Sequence, residues 1–373
     1  MRSSARFIRM HVVGGTAALL FTLFTVSAST GQPLGAPFWS RRTMDREPIL
    51  FVQREGAATA SGRLLFTPVS KPVLSSPDLD VVYEEGRDYS WQPGSDTIAL
   101  TASSRIPFKT ASQMTPPPGS PNRLGGVLWA EGRFFHDLQM LADYEHAGGW
   151  NLPPPAASTN LDRIRATLLA REPVTVVALG DSITAGYNAS GFQPTAAPPH
   201  QPAYPQLVAD ALGDRFGGPV TLVNLGRAGT VTGWGIKMVE KVADAKPDLV
   251  ILAFDMNHGE PTAGYEAVMR NLLAATRGAC PGADVILVAS MTKNPRLRPA
   301  SQFMAQRDAL LAMATPGVAV ADVTTPWLKL LETKAFADVS GNNVNHPNDF
   351  GHRLYAHTIL ALFGDRGEAT GAH

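Results

Sequence analysis

From residue 173 onward, five apolar runs recur between helical patterns, and this alternation constrains the fold more than any other feature of the chain. The runs are PVTVVALG (173–180), VTLVNLG (220–226), DLVILAF (248–254), DVILVAS (284–290) and VAVADV (318–323). Each is apolar along most of its length rather than at alternate positions. A strand of that kind has both faces buried, as in a parallel sheet covered by helices on each side. Between the runs lie YPQLVADALGDRF, GIKMVEKVADA, GYEAVMRNLLAATRG and SQFMAQRDALLAMA, with apolar residues about three to four apart, and FGHRLYAHTILALFG (350–364) closes the series. Five βα repeats predict an α/β domain over 161–366. In such sheets, chemistry is found at the carboxyl ends of the strands, so the residues just after 179, 225, 254 and 323 are the first to inspect.

The first half reads differently. Over 47–150, short runs (PILFV, RLLFTPV, DVVYEEG, DYSWQPG, DTIALT, RIPF) are separated by Gly, Pro, Asp and Ser. This spacing predicts an all-β sandwich (jelly-roll-like) rather than helices. FFHDLQMLADYEHAGGW (134–150) fits strand or helix by periodicity, and strands completing the sandwich are preferred. Residues 29–46 read as a leader segment, 151–160 as a linker and 367–373 as a tail.

At the N-terminus, Arg2, Arg6 and Arg9 precede an apolar run from about Val12 to Val26, followed by small residues. That layout predicts a signal peptide over 1–28, cut after Ala28, and a secreted or periplasmic product with no stable membrane insertion after cleavage. The alternative is an uncleaved anchor, for which the run is short. Cys280 is the single cysteine, so no intrachain disulfide can form. Lys+Arg and Asp+Glu are equal at 32 each. This balance gives no electrostatic reason to expect nucleic acid or an anionic membrane as partner. Oligomeric state is not legible.

Four strand-end segments carry chemistry. In GDSITAGYNAS, Ser182 follows Gly180 and Asp181 at a strand-to-helix turn, where a hydroxyl meets backbone N–H groups; this suits a nucleophile or, equally, a helix cap. The G-x-S-x-G elbow is absent. NLGRAGTVTGWG places Gly229 where backbone can approach a ligand. AFDMNHGE places Asn257 just past the third strand. GNNVNHPNDFGH places His346 before the closing helix.

Together these four blocks resemble the SGNH/GDSL hydrolases: GDS carries Ser182, NLGRAG carries Gly229, DMN carries Asn257 and NHPND carries His346. The resemblance covers about half of the chain, from 170 to 364. It implies a flavodoxin-like three-layer α/β/α fold and ester hydrolysis through an acyl-enzyme. Ser182 would attack, His346 would act as base, and Ser182 N–H, Gly229 N–H and the Asn257 amide would form an oxyanion hole. With a β-sandwich ahead of it, the chain is similar to carbohydrate esterases, so O-deacetylation of a small or polymeric carbohydrate ester is expected. A general acyl esterase or lipase, or an inactive glycan-binding protein, are the alternatives. Asp181, Tyr187, Trp234 and His258 are candidate substrate contacts; Tyr187, Phe192 and Trp234 would suit a sugar platform, or equally core. For His258 a solvated loop position is favoured.

Two departures from the family pattern matter. The third block reads DMNH, with Asp255 and His258 where the family has glycine and aspartate. The usual aspartate three residues before the histidine is Asn343. Three groups can then orient His346: Asn343, a backbone carbonyl, or a carboxylate such as Asp349 or Asp338. A dyad, or a dyad assisted by Asn343, is favoured, since Asp349 also stands where it would cap the last helix. His346, His352 and His357 do not share one helix face, so no metal and no cofactor are expected. Asn188-Ala-Ser190 is a glycosylation sequon without context to use it.

Overall fold

The computed structural model describes residues 34–259 and 262–364. The expected signal peptide and the tail lie outside these residues, as does the first part of the leader. In chain order the first-half strands are β1 (Thr43–Leu50), β2 (Val52–Gln53), β3 (Ser61–Arg63), β4 (Val73–Ser75), β5 (Tyr89–Trp91), β6 (Thr97–Leu100), β7 (Lys109–Thr110), β8 (Arg123–Leu124), β9 (Val127–Leu128) and β10 (Gln139–Glu145), with a short helix α1 (Ala111–Met114) after β7. The second half contains α2 (Asp162–Leu169), β11 (Val174–Gly180), α3 (Ser182–Ala185), α4 (Tyr204–Phe216), β12 (Val220–Asn224), α5 (Thr232–Lys237), α6 (Val239–Asp244), β13 (Leu249–Ala253) and α7 (Thr262–Ala279). It closes with β14 (Asp284–Ala289), α8 (Ala300–Leu311), β15 (Val318–Asp322), α9 (Thr324–Leu331), α10 (Phe336–Val339) and α11 (Asp349–Ala361).

The five long runs form one parallel sheet in the order β12-β11-β13-β14-β15. That is the 2-1-3-4-5 order of the flavodoxin-like fold. Alternate residues of each strand feed two separate cores. Val176, Ala178, Ile251, Ile286 and Ala319 join α4 and α11 on one face. Val177, Leu179, Val250, Leu252, Val285 and Leu287 meet Tyr265, Met269 and Leu272 of α7 on the other. Every residue of β13 is buried. Each such Leu, Ile or Val contributes roughly 1.5–3 kcal/mol by leaving water, so apolar character on both faces is what holds the three layers together.

In the first half, β1-β10-β4 form a three-stranded antiparallel sheet, and β5-β6-β3-β2-β7 form a five-stranded mixed sheet in which β7 runs parallel to β2. Ile49, Phe51, Leu64, Leu74, Tyr89, Ile98 and Met140 from the two sheets share one core. Residues 139–145 are strand, as preferred from the sequence. β1 begins at Thr43, inside the segment expected to be leader. Met44 anchors it there, being 1 % exposed.

The same core cluster runs on into the second half, from Phe38 through Trp150 to Phe350 and Leu354. Polar contacts add direction. Buried Glu47 of β1 accepts from Lys334 Nζ at 2.7 Å and from the Tyr144 hydroxyl. Gln139 Nε2 donates to the carbonyls of Ala337 and Ser340 at 2.7 and 2.8 Å, and Asn348 Nδ2 donates to Gln139 Oε1 at 2.9 Å. The three-stranded sheet therefore holds the segment between α10 and α11, which carries His346. Among the described residues no helix is long and apolar enough to cross a membrane.

Candidate active site

At the end of β11 the chain turns into α3 within two residues. Asp181 is the N-cap, its Oδ1 accepting from Ile183 N at 3.0 Å. Ser182 is the first helical residue, so no earlier helical carbonyl reaches its N–H. The helix stops after one turn because Gly186 takes φ 106°, and Asn188 follows with φ 63°. This double reversal folds Asn188 back towards the top of the sheet.

The loop after β12 is pinned to the same strand end. Arg227 N donates to Gly180 O at 3.0 Å, and the Thr230 hydroxyl reaches that carbonyl at 3.3 Å. Gly226 lies so close to α3 that a Cβ would fall 2.3 Å from Ala185 N. Gly229 has φ 72° with open space around it, so its backbone conformation rather than crowding calls for glycine. Asn257, past β13, donates from Nδ2 to Thr230 O at 3.0 Å. Ser182, Gly229 and Asn257 are thus tied to one strand end through Gly180 and Thr230.

His346 arrives from the opposite side, between α10 and α11. Asn342 shapes its loop: Oδ1 accepts from the N–H groups of Val344, Asn345 and His346 at 3.0, 3.0 and 3.1 Å. The ring then meets Ser182, with Nε2 2.9 Å from its Oγ. Both residues are buried.

The ring's other nitrogen, Nδ1, is 2.8 Å from Asn188 Oδ1. The orientation of that amide is decided by its own nitrogen, which donates to Gly132 O and Gly341 O at 3.2 and 3.1 Å. Two carbonyls fix Nδ2, so oxygen faces the imidazole and accepts Nδ1–H. Nε2 is left as the acceptor for the serine proton. An amide in place of a carboxylate can instead stabilise the wrong tautomer; here the two carbonyls prevent it. Asn342 Nδ2 also lies 3.0 Å from Nδ1, but it has Glu131 Oε1 and Asn345 Oδ1 to donate to, each at 3.0 Å. Glu131 Oε2 stands 3.5 Å from Nδ1. Burial raises the Glu131 carboxyl, but hydrogen bonding and charge from His346, with the Asn342 amide, outweigh it and leave it below the usual range.

Asn343, expected to assist, does not reach the ring. Its φ of 59° turns the side chain away. There Nδ2 donates to Leu128 O at 2.8 Å and Oδ1 accepts from Asn294 at 3.2 Å. Neither nearby aspartate substitutes. Asp338 accepts from Leu50 N and Ala335 N at 2.8 and 2.9 Å beside Lys334. Asp349 accepts from Ser190 N at 2.7 Å, and the cap of α11 is Asn348, which accepts from Gly351 N.

Three of the four candidate substrate contacts are also placed elsewhere. Asp181 is buried as the cap of α3; burial and the neighbouring Asp255 push it up to about 7 against the N–H groups of Ile183 and Met256. Trp234 packs on the second core, edge-on to Phe254. His258 is buried rather than solvated, with Nε2 2.6 Å from the Thr232 hydroxyl and its ring against Tyr265. Tyr187 remains, its ring 5.3 Å from His346 and 4.5 Å from Phe192. The altered third block has its own bonding: Asp255 accepts from the Tyr265 hydroxyl and from Ser290 N. His352 and His357 are core histidines lowered by burial to about 4 and about 3. Among the described residues no three His, Cys, Asp or Glu side chains group as metal ligands.

Residues 178–354 match the model of the GDSL-like lipase/acylhydrolase family. That span, just under half of the chain, is similar to the family. The four blocks fall within the matched span. A search of curated proteins returned no match. Among solved structures, a two-domain esterase active on acetylated mannans, co-crystallised with mannopentaose, is 20% identical over 56% of this chain and 54% of its own, with a TM-score of 0.46. This chain therefore spans about half the length of that protein. An alpha/beta hydrolase from the metagenome of Lake Arreo, Spain, is 23% identical over 51% of this chain and 95% of its own, TM-score 0.41. A catalytic mutant of an acetylxylan esterase from Geobacillus stearothermophilus is 20% identical over 52% and 95%, TM-score 0.41.

The sequence reading missed Asn188, Asn342 and Glu131. Asn188 had a local signal, an asparagine just after the glycine that ends α3, where a left-handed residue is common. Glu131 had none, being 211 positions from the Asn342 it bonds.

Proposed function

We propose that the protein is an exported serine esterase that removes acetyl groups from carbohydrate. The observation that carries the chemistry is the Ser182 Oγ–His346 Nε2 contact of 2.9 Å, with the tautomer of His346 set by Asn188. Ser182 Oγ attacks the ester carbonyl carbon while its proton passes to Nε2. The carbonyl oxygen becomes an oxyanion, to which Ser182 N–H, Gly229 N–H and the second amide hydrogen of Asn257 donate. The bond to the alcohol breaks, and Nε2–H protonates the departing oxygen. Water, deprotonated by Nε2, then attacks the acyl-serine; the bond to Ser182 Oγ breaks, Nε2–H returns its proton to that oxygen, and the acid leaves.

The alcohol side of the ester faces the imidazole that protonates it. Beside that imidazole stand two polar side chains with exposed surface, Glu131 and Asn345, with Tyr187 alongside. An amide, a carboxylate and one aromatic ring suit a hydroxyl-rich alcohol better than an apolar one. Export rests on the N-terminal sequence pattern alone.

Acetate release across a panel of acetylated glycans tests the substrate class, with nitrophenyl acetate and a long-chain nitrophenyl ester as references. Faster turnover of the long-chain ester would replace deacetylation with a lipase reading. A folded wild type unlabelled by a fluorophosphonate would replace the enzyme with a binding protein. A secreted product beginning at Ser29 is expected; retention of Met1 on the exported chain would overturn the cleavage.

A further inference from the structure

We propose that Glu131, delivered from the β-rich first half of the chain, supplies the negative charge that this active site lacks at the position three before its histidine. The inference rests on the serine-esterase reading and deepens it. The task usually given to one aspartate is divided here. Asn188 accepts Nδ1–H and sets the tautomer, but a neutral amide cannot balance the charge of an imidazolium. Glu131 Oε2, 3.5 Å from Nδ1, can.

Its placement is built rather than incidental. Oε1 accepts from Asn342 Nδ2 at 3.0 Å, and Asn342 is fully buried with its own Oδ1 held by three backbone N–H groups. The next residue, Gly132, gives its carbonyl to Asn188 Nδ2 at 3.2 Å. The same two amides that position the histidine therefore clamp residues 131–132 onto it. With a neutral imidazole the contact is no ion pair. When His346 takes the Ser182 proton it becomes one, so the interaction strengthens on the way to the transition state, which is the condition for raising kcat rather than only tightening binding. Glu131 is a positioning and charge-balancing residue acting through His346. The other titratable groups near the ring are Tyr187 and buried His352, the latter held neutral by burial.

The test is kcat and kcat/KM for nitrophenyl acetate against pH, on the full chain, for wild type, Glu131→Gln and Glu131→Asp. Glutamine keeps an acceptor for Asn342 and removes only the charge, and matched thermal unfolding checks the fold. Because the Glu131 side chain is 47% exposed, the effect is moderated by water. Glu131→Gln should lower plateau kcat by roughly 10- to 100-fold with KM nearly unchanged, and move the acidic limb of the profile to lower pH. The sign follows from charge: without the carboxylate, the imidazolium is less favoured, so the base stays available to lower pH. Glu131→Asp should recover part of both effects. An unchanged plateau, or a lowered plateau with the limb in place, overturns the proposal. Wild type inactive on esters and unlabelled by a fluorophosphonate is a different failure, that of the esterase reading itself, and it removes this proposal with it.

Discussion

Replacing Asn188 separates orientation from strain. Its side chain makes three contacts: Nδ1 of His346 at 2.8 Å, Gly341 O at 3.1 Å and Gly132 O at 3.2 Å. Its backbone is left-handed, φ 63°. Asn188→Gly removes the side chain and keeps that backbone at little cost, whereas Asn188→Ala adds a penalty of about 1–2 kcal/mol for the left-handed conformation. Losing the two bonds to carbonyls should cost each variant about 1 kcal/mol per bond in stability. The catalytic loss is larger. A bond to the imidazolium is worth about 1.5–3 kcal/mol, and without it the Asn342 amide, 3.0 Å from Nδ1, can donate to that nitrogen and draw the ring into the wrong tautomer. Together these predict a kcat fall of roughly 10²- to 10³-fold, or about 2.7–4 kcal/mol. Steady-state hydrolysis of nitrophenyl acetate, with thermal unfolding alongside, measures both. Equal kcat in the two variants with a lower melting temperature for alanine is expected. A folded Asn188→Gly enzyme within threefold of wild type would refute the assignment.

Asn257→Ala should lower kcat by roughly 10²- to 10³-fold with little change in KM, as for loss of one oxyanion donor; kinetics of the folded variant at saturating ester check this. Asn343→Gly, which keeps the left-handed backbone and loses the Leu128 and Asn294 contacts, should lower stability by about 1–2 kcal/mol while leaving kcat and its pH profile in place. A kcat loss as deep as that of Asn188→Gly would restore Asn343 to the site. Asp181 is raised to about 7 by burial, above the roughly 3.9 of an unfolded aspartate. Its protonation therefore favours the folded state at low pH, and that contribution is lost as pH rises through 7. Urea midpoints at pH 4.5 and 8 should show Asp181→Asn gaining on wild type at the higher pH; parallel curves would contradict it.

The α/β half was legible because its physics is local. A strand buried on both faces must be apolar throughout, and a crossover helix must show its apolar stripe, so the five runs and their helices could be read directly from residue order. The strand-end rule then placed Ser182, Gly229 and Asn257, and HPND placed His346 beside the closing helix. The group that orients His346 was not legible. Asn343 had the right spacing but the wrong backbone sign, since φ of 59° points its amide at Leu128 and Asn294. His258 looked like a loop residue because Thr232 and Tyr265, which enclose it, lie 26 positions before it and on the following helix.

Residue order alone therefore determined the sheet and the places of Ser182 and His346, each written in a periodicity or in a block at a strand end. Tertiary structure alone decided what surrounds Nδ1 of His346. Asn188 is 158 positions from the histidine, and Glu131 lies on the segment leading to the strand that holds the histidine loop. A hydrogen bond requires only that donor and acceptor meet in space, and chain order sets no limit on which residues do. When the meeting is arranged by a core shared between two halves of the chain, only the folded molecule reveals the partner.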